Sequence, residues 1–284
     1  MVLWLPGYGM GAILTTLPVS GSLAVVGYQS TLTIFGLIFG TIGLLAAQGM
    51  KRPPTMTRST DGDLPDSRAG ASPPVMLRSP IFWFLFLMMS SSGLMVVTQM
   101  AAFAKDFGVA DTMVFGMAAL PLALTIDRFA NGLTRPFFGW LSDRMGREQT
   151  MCLAFGLEGT AMLLWLTTRH NPLLFVLLSG VVFFGWGEIF SLFPSTLTDT
   201  FGERHATTNY GFLYMAQGIG LIVGAPLVAW LHETAGNWII VFAAMIVMDF
   251  LGAILAIAVL KPLRQSRATL YATDTSPARV ALPN

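Results

Sequence analysis

With 284 residues, 54% of them hydrophobic and 11% charged, the chain is more apolar than a soluble domain, which averages roughly 45–50% apolar and about 25% charged. It reads as an integral membrane protein embedded in a lipid bilayer. A net charge of +1 with no basic patch outside short loops excludes a nucleic-acid partner, and a single cysteine, Cys152, excludes a disulfide framework or a cysteine-based zinc site.

Apolar runs approaching the ~20 residues that a bilayer requires fall at about 3–22, 31–50, 80–104, 112–141, 149–168, 172–196, 209–231 and 237–260. These eight spans predict an all-α polytopic bundle. The first contains GYGMGAILTTLP at 7–18 and lacks the basic leader and cleavage site of a secretory signal. Gly36 and Gly40 in the second stand at GxxxG spacing, a helix-packing signal. Residues 51–79 are rich in Pro, Ser, Asp and Arg, with too little apolar surface to fold alone. They are expected to link a bundle containing 1–50 to one formed by 80–260. Twelve of the 16 lysines and arginines lie in this linker, the 142–148 and 197–208 loops and the 261–284 tail. That excess places linker and C-terminus on the cytoplasmic side, in the cell inner (plasma) membrane.

The fourth span and the loop after it read DRFANGLTRPFFGWLSDRMGRE, residues 127–148. Arg128, Asn131 and Arg135 share one helix face. An arginine inside the bilayer must face protein or water, which makes Arg135 a candidate anion contact. Arg128, about 10 Å along the same face at 1.5 Å per residue, is expected to serve structure or a gate. The loop carries Gly139, Asp143, Arg144, Gly146 and Arg147 in the form GxxxDRxGR. It predicts a tight turn whose aspartate accepts from backbone N–H groups or from an arginine at a helix start.

The sixth span holds FGWGEIFSLFPS at 184–195, in which Glu188 sits between Trp186 and Phe190. An acid inside an apolar span is a candidate proton carrier; a structural acid is the alternative. In NYGFLYMAQGIG at 209–220, Tyr210, Tyr214 and Gln217 share a face, and Gly220 with Gly224 repeats the GxxxG spacing. Glu158, Asp249 and Gln99 are further intramembrane polar residues without an assigned role. The histidines are scattered, and no Walker loop, HExxH or nucleophile elbow is present, so the expectation is no enzyme, no cofactor and no metal site.

The GxxxDRxGR loop resembles that of the major facilitator superfamily, where it joins the second and third helices of a six-helix half. On this resemblance the spans from 80 onward correspond to helices seven to twelve, the two earlier ones to helices five and six, and the first four helices are lacking. The four quoted motifs, in order, further resemble the oxalate/formate antiporter family over all but the linker and tail. That resemblance implies a two-bundle carrier exchanging small carboxylate anions by alternating access, with an arginine and a lysine flanking a dicarboxylate inside an aromatic cage. The arginine corresponds to Arg135, and the cage to Trp186, Phe190, Tyr214 and Tyr8. The lysine corresponds to Gln217, a departure, since a dianion facing Arg135 alone leaves a negative charge unbalanced. Gln217 and Glu188 favour an alternative, a proton-coupled monocarboxylate symporter. With only two of six first-half helices, a transport-incompetent membrane fragment is the third reading.

Overall fold

In a bilayer the backbone has no water to bond to, so each apolar run must satisfy its own N–H and C=O groups, which a helix does internally. The computed structural model describes residues 5–49, 70–92 and 96–274. Helix α1 runs over Leu5–Gln48, α2 over Pro73–Leu77, α3 over Pro80–Ser92 and α4 over Val96–Asp106. A hairpin of β1 (Met113–Val114) and β2 (Met117–Ala118) precedes α5 (Ala119–Met145). There follow α6 (Arg147–Thr167), α7 (Pro172–Trp186), α8 (Ile189–Phe201) and α9 (Ala206–Ala235). Finally α10 (Ile239–Leu255) continues through a π-helical turn, Ala256–Leu260, into α11 (Lys261–Asp274). Among the described residues, five stretches are long and apolar enough to cross a membrane: Val25–Gln48, Arg147–Thr167, Pro172–Phe201, Ala206–Ala235 and Ile239–Arg267. The chain is an all-α polytopic membrane protein.

Several elements differ from the sequence reading. The two spans expected at 3–22 and 31–50 are two helical segments of α1 that meet at a kink; only their boundary differs, since the separating stretch shrinks to Gly27, whose φ of 77° breaks the helix. Ser22 and Thr31 hydrogen-bond at 3.0 Å across it. Nine residues of straight helix would cover about 13 Å, so the chain bends sharply there. The span expected from 112 starts instead as the hairpin. Phe115 (φ 52°) and Gly116 (φ 80°) form its two-residue turn, matched to the twist of the strands. A short apolar run does not distinguish strand from helix by periodicity, which is why the hairpin was not legible.

Of the expected linker, 51–69 lies outside the described residues, and 70–79 docks on the bundle. The Ala71 N–H donates to the Phe201 carbonyl at 2.7 Å, Asn209 Nδ2 donates to the Ala71 carbonyl at 3.1 Å, and Met76 is buried. The segment expected as a tail from 261 is helical through Asp274.

Two apolar cores fill the bundle. One gathers Phe103, Trp165, Phe175 and Phe242, the other Phe82, Phe138, Phe155 and Phe193, and Trp186 packs against both. Helix α1 lies along α5, and α3 lies along α9. At the α3–α9 crossing, a Cβ added to Gly220 would stand 2.5 Å from the Ser90 carbonyl oxygen, so the two backbones touch. Gly36 and Gly40, the other GxxxG pair, have nothing within 4 Å among the described residues. Gly220→Val is therefore expected to lower the thermal midpoint of helix loss in detergent, by overpacking worth about 1–3 kcal/mol. Gly36→Val is expected to leave that midpoint in place; equal shifts for both would contradict the packing difference.

Candidate functional site

The site grows from a break between α7 and α8. Two glycines flank Trp186 in the sequence Phe184-Gly185-Trp186-Gly187-Glu188, and the i→i−4 ladder fails there. Gly187 N–H still reaches the Phe183 carbonyl at 3.1 Å, but Glu188 N–H bonds the Gly185 carbonyl at 3.3 Å. The Phe184 carbonyl is satisfied from outside the helix, by the hydroxyl of Thr134 on α5. A Cβ at Gly187 would collide with the Thr134 methyl, so glycine is what lets α5 seat against the break. Breaks in membrane helices persist where a neighbour re-satisfies the freed backbone.

Arg135, next to Thr134, is buried and stacks its guanidinium 4.5 Å from the centroid of Phe190. Phe190 contacts Trp186 at 5.3 Å and Tyr214 at 6.2 Å, and Tyr214 contacts Tyr210 at 5.6 Å. Three elements thus converge: α5 supplies the cation, the break supplies Trp186 and Phe190, and α9 supplies the two tyrosines. Gln217 follows on the tyrosine face of α9, half-buried, with its Nε2 making no hydrogen bond. Tyr8 lies in α1, and its side chain is outside the described residues. Arg128 is exposed and Asp127 buried, so these neighbours lie on different faces of α5.

Glu188 does not join this aromatic group. It lies in the break itself, where Gly185 meets Glu158 of α6, and it is buried with neither carboxylate oxygen accepting a hydrogen bond. Thr134 was not singled out by sequence, because its role arises only from the break it caps. Among the described residues no three His, Cys, Asp or Glu side chains are placed to hold one metal ion.

At the far end of α5, Gly146 takes φ 94° to turn the chain into α6, and its N–H donates to the Ser142 carbonyl at 2.9 Å. Arg147 donates to Asp143 at 3.0 Å and, through Nε, to Asp199 on α8 at 2.9 Å, with a further bond to Ser142. Arg144 stacks 4.2 Å from Trp140. Arg264 on α11 pairs with Glu148 and donates to Thr200 at 2.8 Å. The loop residues therefore tie α5, α6, α8 and α11 at one end of the bundle, remote from Arg135 by more than two helical turns.

The Major Facilitator Superfamily model matches residues 118–281, covering α5 through α11. The chain belongs to the major facilitator superfamily. Among curated proteins, this major facilitator chain is similar to the oxalate:formate antiporter of Oxalobacter formigenes, 31% identical over 88% of this chain and 59% of that protein. It is also similar to the uncharacterized MFS-type transporter YhjX of Escherichia coli K12, 26% identical over 76% of this chain and 52% of the relative. Monocarboxylate transporter 12-B of Danio rerio is 27% identical over 55% of this chain and 32% of its own length. The major facilitator chain thus spans little more than half the length of the two bacterial relatives.

Proposed function

We propose that this chain serves the exchange of small carboxylates across a membrane, in the manner of an oxalate:formate antiporter. The observation that carries the reading is Arg135, buried against Phe190 within the group formed by Trp186, Tyr214 and Tyr210. A guanidinium presents a planar fork that matches the two oxygens of a carboxylate. Aromatic walls exclude water around that pair and so strengthen it. In this reading Gln217 offers an amide to the second end of the anion, and Tyr8 is a further aromatic candidate from the family resemblance alone. Residues 1–50 belong to one bundle and 80–260 to the other; the bundles rock about this level, which alternates access. The 51–79 segment and the 261–284 tail, with their excess of lysine and arginine, face the cytoplasm of the inner membrane. The loop residues Gly139, Asp143, Arg144, Gly146 and Arg147 hold one end of the C-terminal bundle in register during the motion.

One observation favours a second reading, a proton-coupled monocarboxylate symporter: Glu188 is buried without a hydrogen-bond partner, beside a site in which Gln217 contributes no charge. Counterflow in proteoliposomes separates the two. Vesicles preloaded with oxalate are expected to drive uptake of labelled formate with no imposed proton gradient. Uptake that ignores internal oxalate and follows an imposed proton gradient would replace exchange by symport. Vesicles inert under both gradients would assign the chain to the transport-incompetent class.

A further inference from the structure

Three carboxyl groups from three elements gather on the side of the α7–α8 break away from the aromatic group. Glu188 leaves the break itself, 1% exposed, with both oxygens unsatisfied. Glu158 on α6 is 3% exposed, and Asp249 on α10 is 6% exposed with an unsatisfied Oδ2. Glycines allow the approach: a Cβ added to Gly185 would stand 3.0 Å from the Glu158 Cβ, and one added to Gly159 would stand 3.1 Å from the Asp249 Cβ. Glu158 thus stands between the break and Asp249, with α6 packed against both α7 and α10. The result is one continuous layer across the bundle, from Thr134 and Arg135 through the break to Glu158 and then Asp249.

The surroundings do not neutralise three negative charges. Helix α3 has no titratable group, and the part of α9 at this level carries Tyr210 and Tyr214. Helix α5 contributes Arg135 and the buried acid Asp127, and α6 itself adds Cys152. Arg147 and Arg264, at the helix ends, are engaged with Asp143, Asp199 and Glu148. Charges so placed in a low-dielectric slab require a cation. The described carboxyls do not converge closely enough for three of them to ligate one metal ion, and protons fit where a metal does not.

We propose that Glu158, Glu188 and Asp249 form a proton-binding site, and that the α7–α8 break couples its proton occupancy to a carboxylate held on Arg135. Only the coupling rests on the carboxylate reading of Arg135. Thr134 holds the break through the Phe184 carbonyl beside Arg135, and Glu188 leaves the same break on the other side. A carboxylate on Arg135 neutralises a positive charge across the break, so protons bind the acids more tightly. By linkage, the protonated site favours the anion by the same factor.

Infrared spectroscopy of the chain in lipid nanodiscs, titrated in choline chloride, reads protonated and ionised carboxyls separately. The expected result is a protonated-carboxyl signal at neutral pH from which E158Q, E188Q and D249N each remove one group's share, while E233Q, at an exposed position, removes none. Should a variant fail to fold, labelling of the unsubstituted chain by a hydrophobic carbodiimide, which attacks protonated buried carboxyls, decides instead. Mass spectrometry is expected to find label on these acids at neutral pH and to lose it at high pH. Three ionised carboxyls at neutral pH, or label on none of them, would overturn the site. Loss of the protonated signal when sodium replaces choline would overturn it in favour of a metal cation. Added formate is expected to increase the protonated signal; R135Q, which removes the same positive charge, is expected to raise the resting signal and to abolish any further increase with formate. Formate that binds by calorimetry without changing the signal would overturn the coupling. Formate that does not bind at all would sink the carboxylate reading and leave the proton site standing.

Discussion

Arg135→Gln is expected to abolish measurable carboxylate binding while the chain stays folded. Hydrogen bonds to a charged group are each worth about 1.5–3 kcal/mol, and a guanidinium fork makes two of them to one carboxylate. Their joint loss, about 3–6 kcal/mol, weakens binding by roughly two to four orders of magnitude, since about 1.4 kcal/mol is a factor of ten. Isothermal titration calorimetry with formate and oxalate in detergent measures this directly. Arg135→Lys is expected to restore only part of the affinity, because lysine keeps the charge but loses the planar fork that lies over Phe190. If the lysine variant bound as well as the native chain, charge alone would be the requirement and the geometric reading would fail. If the glutamine variant bound normally, Arg135 would be a structural residue and the anion would sit elsewhere. Retained helicity and a single elution peak distinguish loss of the site from loss of the fold.

Gly187→Val is expected to damage both stability and the site. The new side chain would occupy the space of the Thr134 methyl, and a β-branched threonine has little rotamer freedom with which to yield. Overpacking of this kind costs about 1–3 kcal/mol. The displaced Thr134 would also withdraw its hydroxyl from the Phe184 carbonyl, leaving a buried acceptor unsatisfied at about 1–3 kcal/mol more. Because Thr134 precedes Arg135 on the same helix, a shift of α5 moves the guanidinium off Phe190. The expected reading is a lower thermal midpoint together with weaker formate binding. Gly156→Ala, at a position with nothing within 4 Å, is the comparison that should change neither. A Gly187→Val chain of native stability and native affinity would show that α5 and the break are not in close contact.

Much of this molecule was legible one span at a time. The apolar runs near bilayer length, the glycine-rich turn at Gly146 and the arginine inside α5 follow from local chemistry, since a bilayer admits few ways to hide a backbone or a charge. The aromatic partners of Arg135 were legible only through family resemblance, for nothing in the spacing of Trp186, Phe190 and Tyr214 says that α5, α8 and α9 converge. The hairpin at 113–118 is not legible because a short run of five apolar residues and one glycine satisfies a helical and an extended pattern alike. The docking of 70–79 is not legible because its anchors lie far away in the chain: the buried Met76 apart, they include Ala71 bonded to the Phe201 carbonyl and the Asn209 side chain, and Ser79 bonded by Arg267.

By itself the sequence determined that this chain lives in a bilayer, how its spans are punctuated, and that its few intramembrane charges need protein partners. Hydrophobicity and helix geometry act within a segment of about 20 residues, so a single strand of text carries them. The tertiary structure alone decided which polar residues share a level of the membrane. It placed Arg135 on Phe190 at one side of the α7–α8 break and set Glu188, Glu158 and Asp249 on the other. That partition depends on helix rotation and on the close approaches made at Gly159, Gly185 and Gly187, distances between segments that no periodicity within one segment encodes.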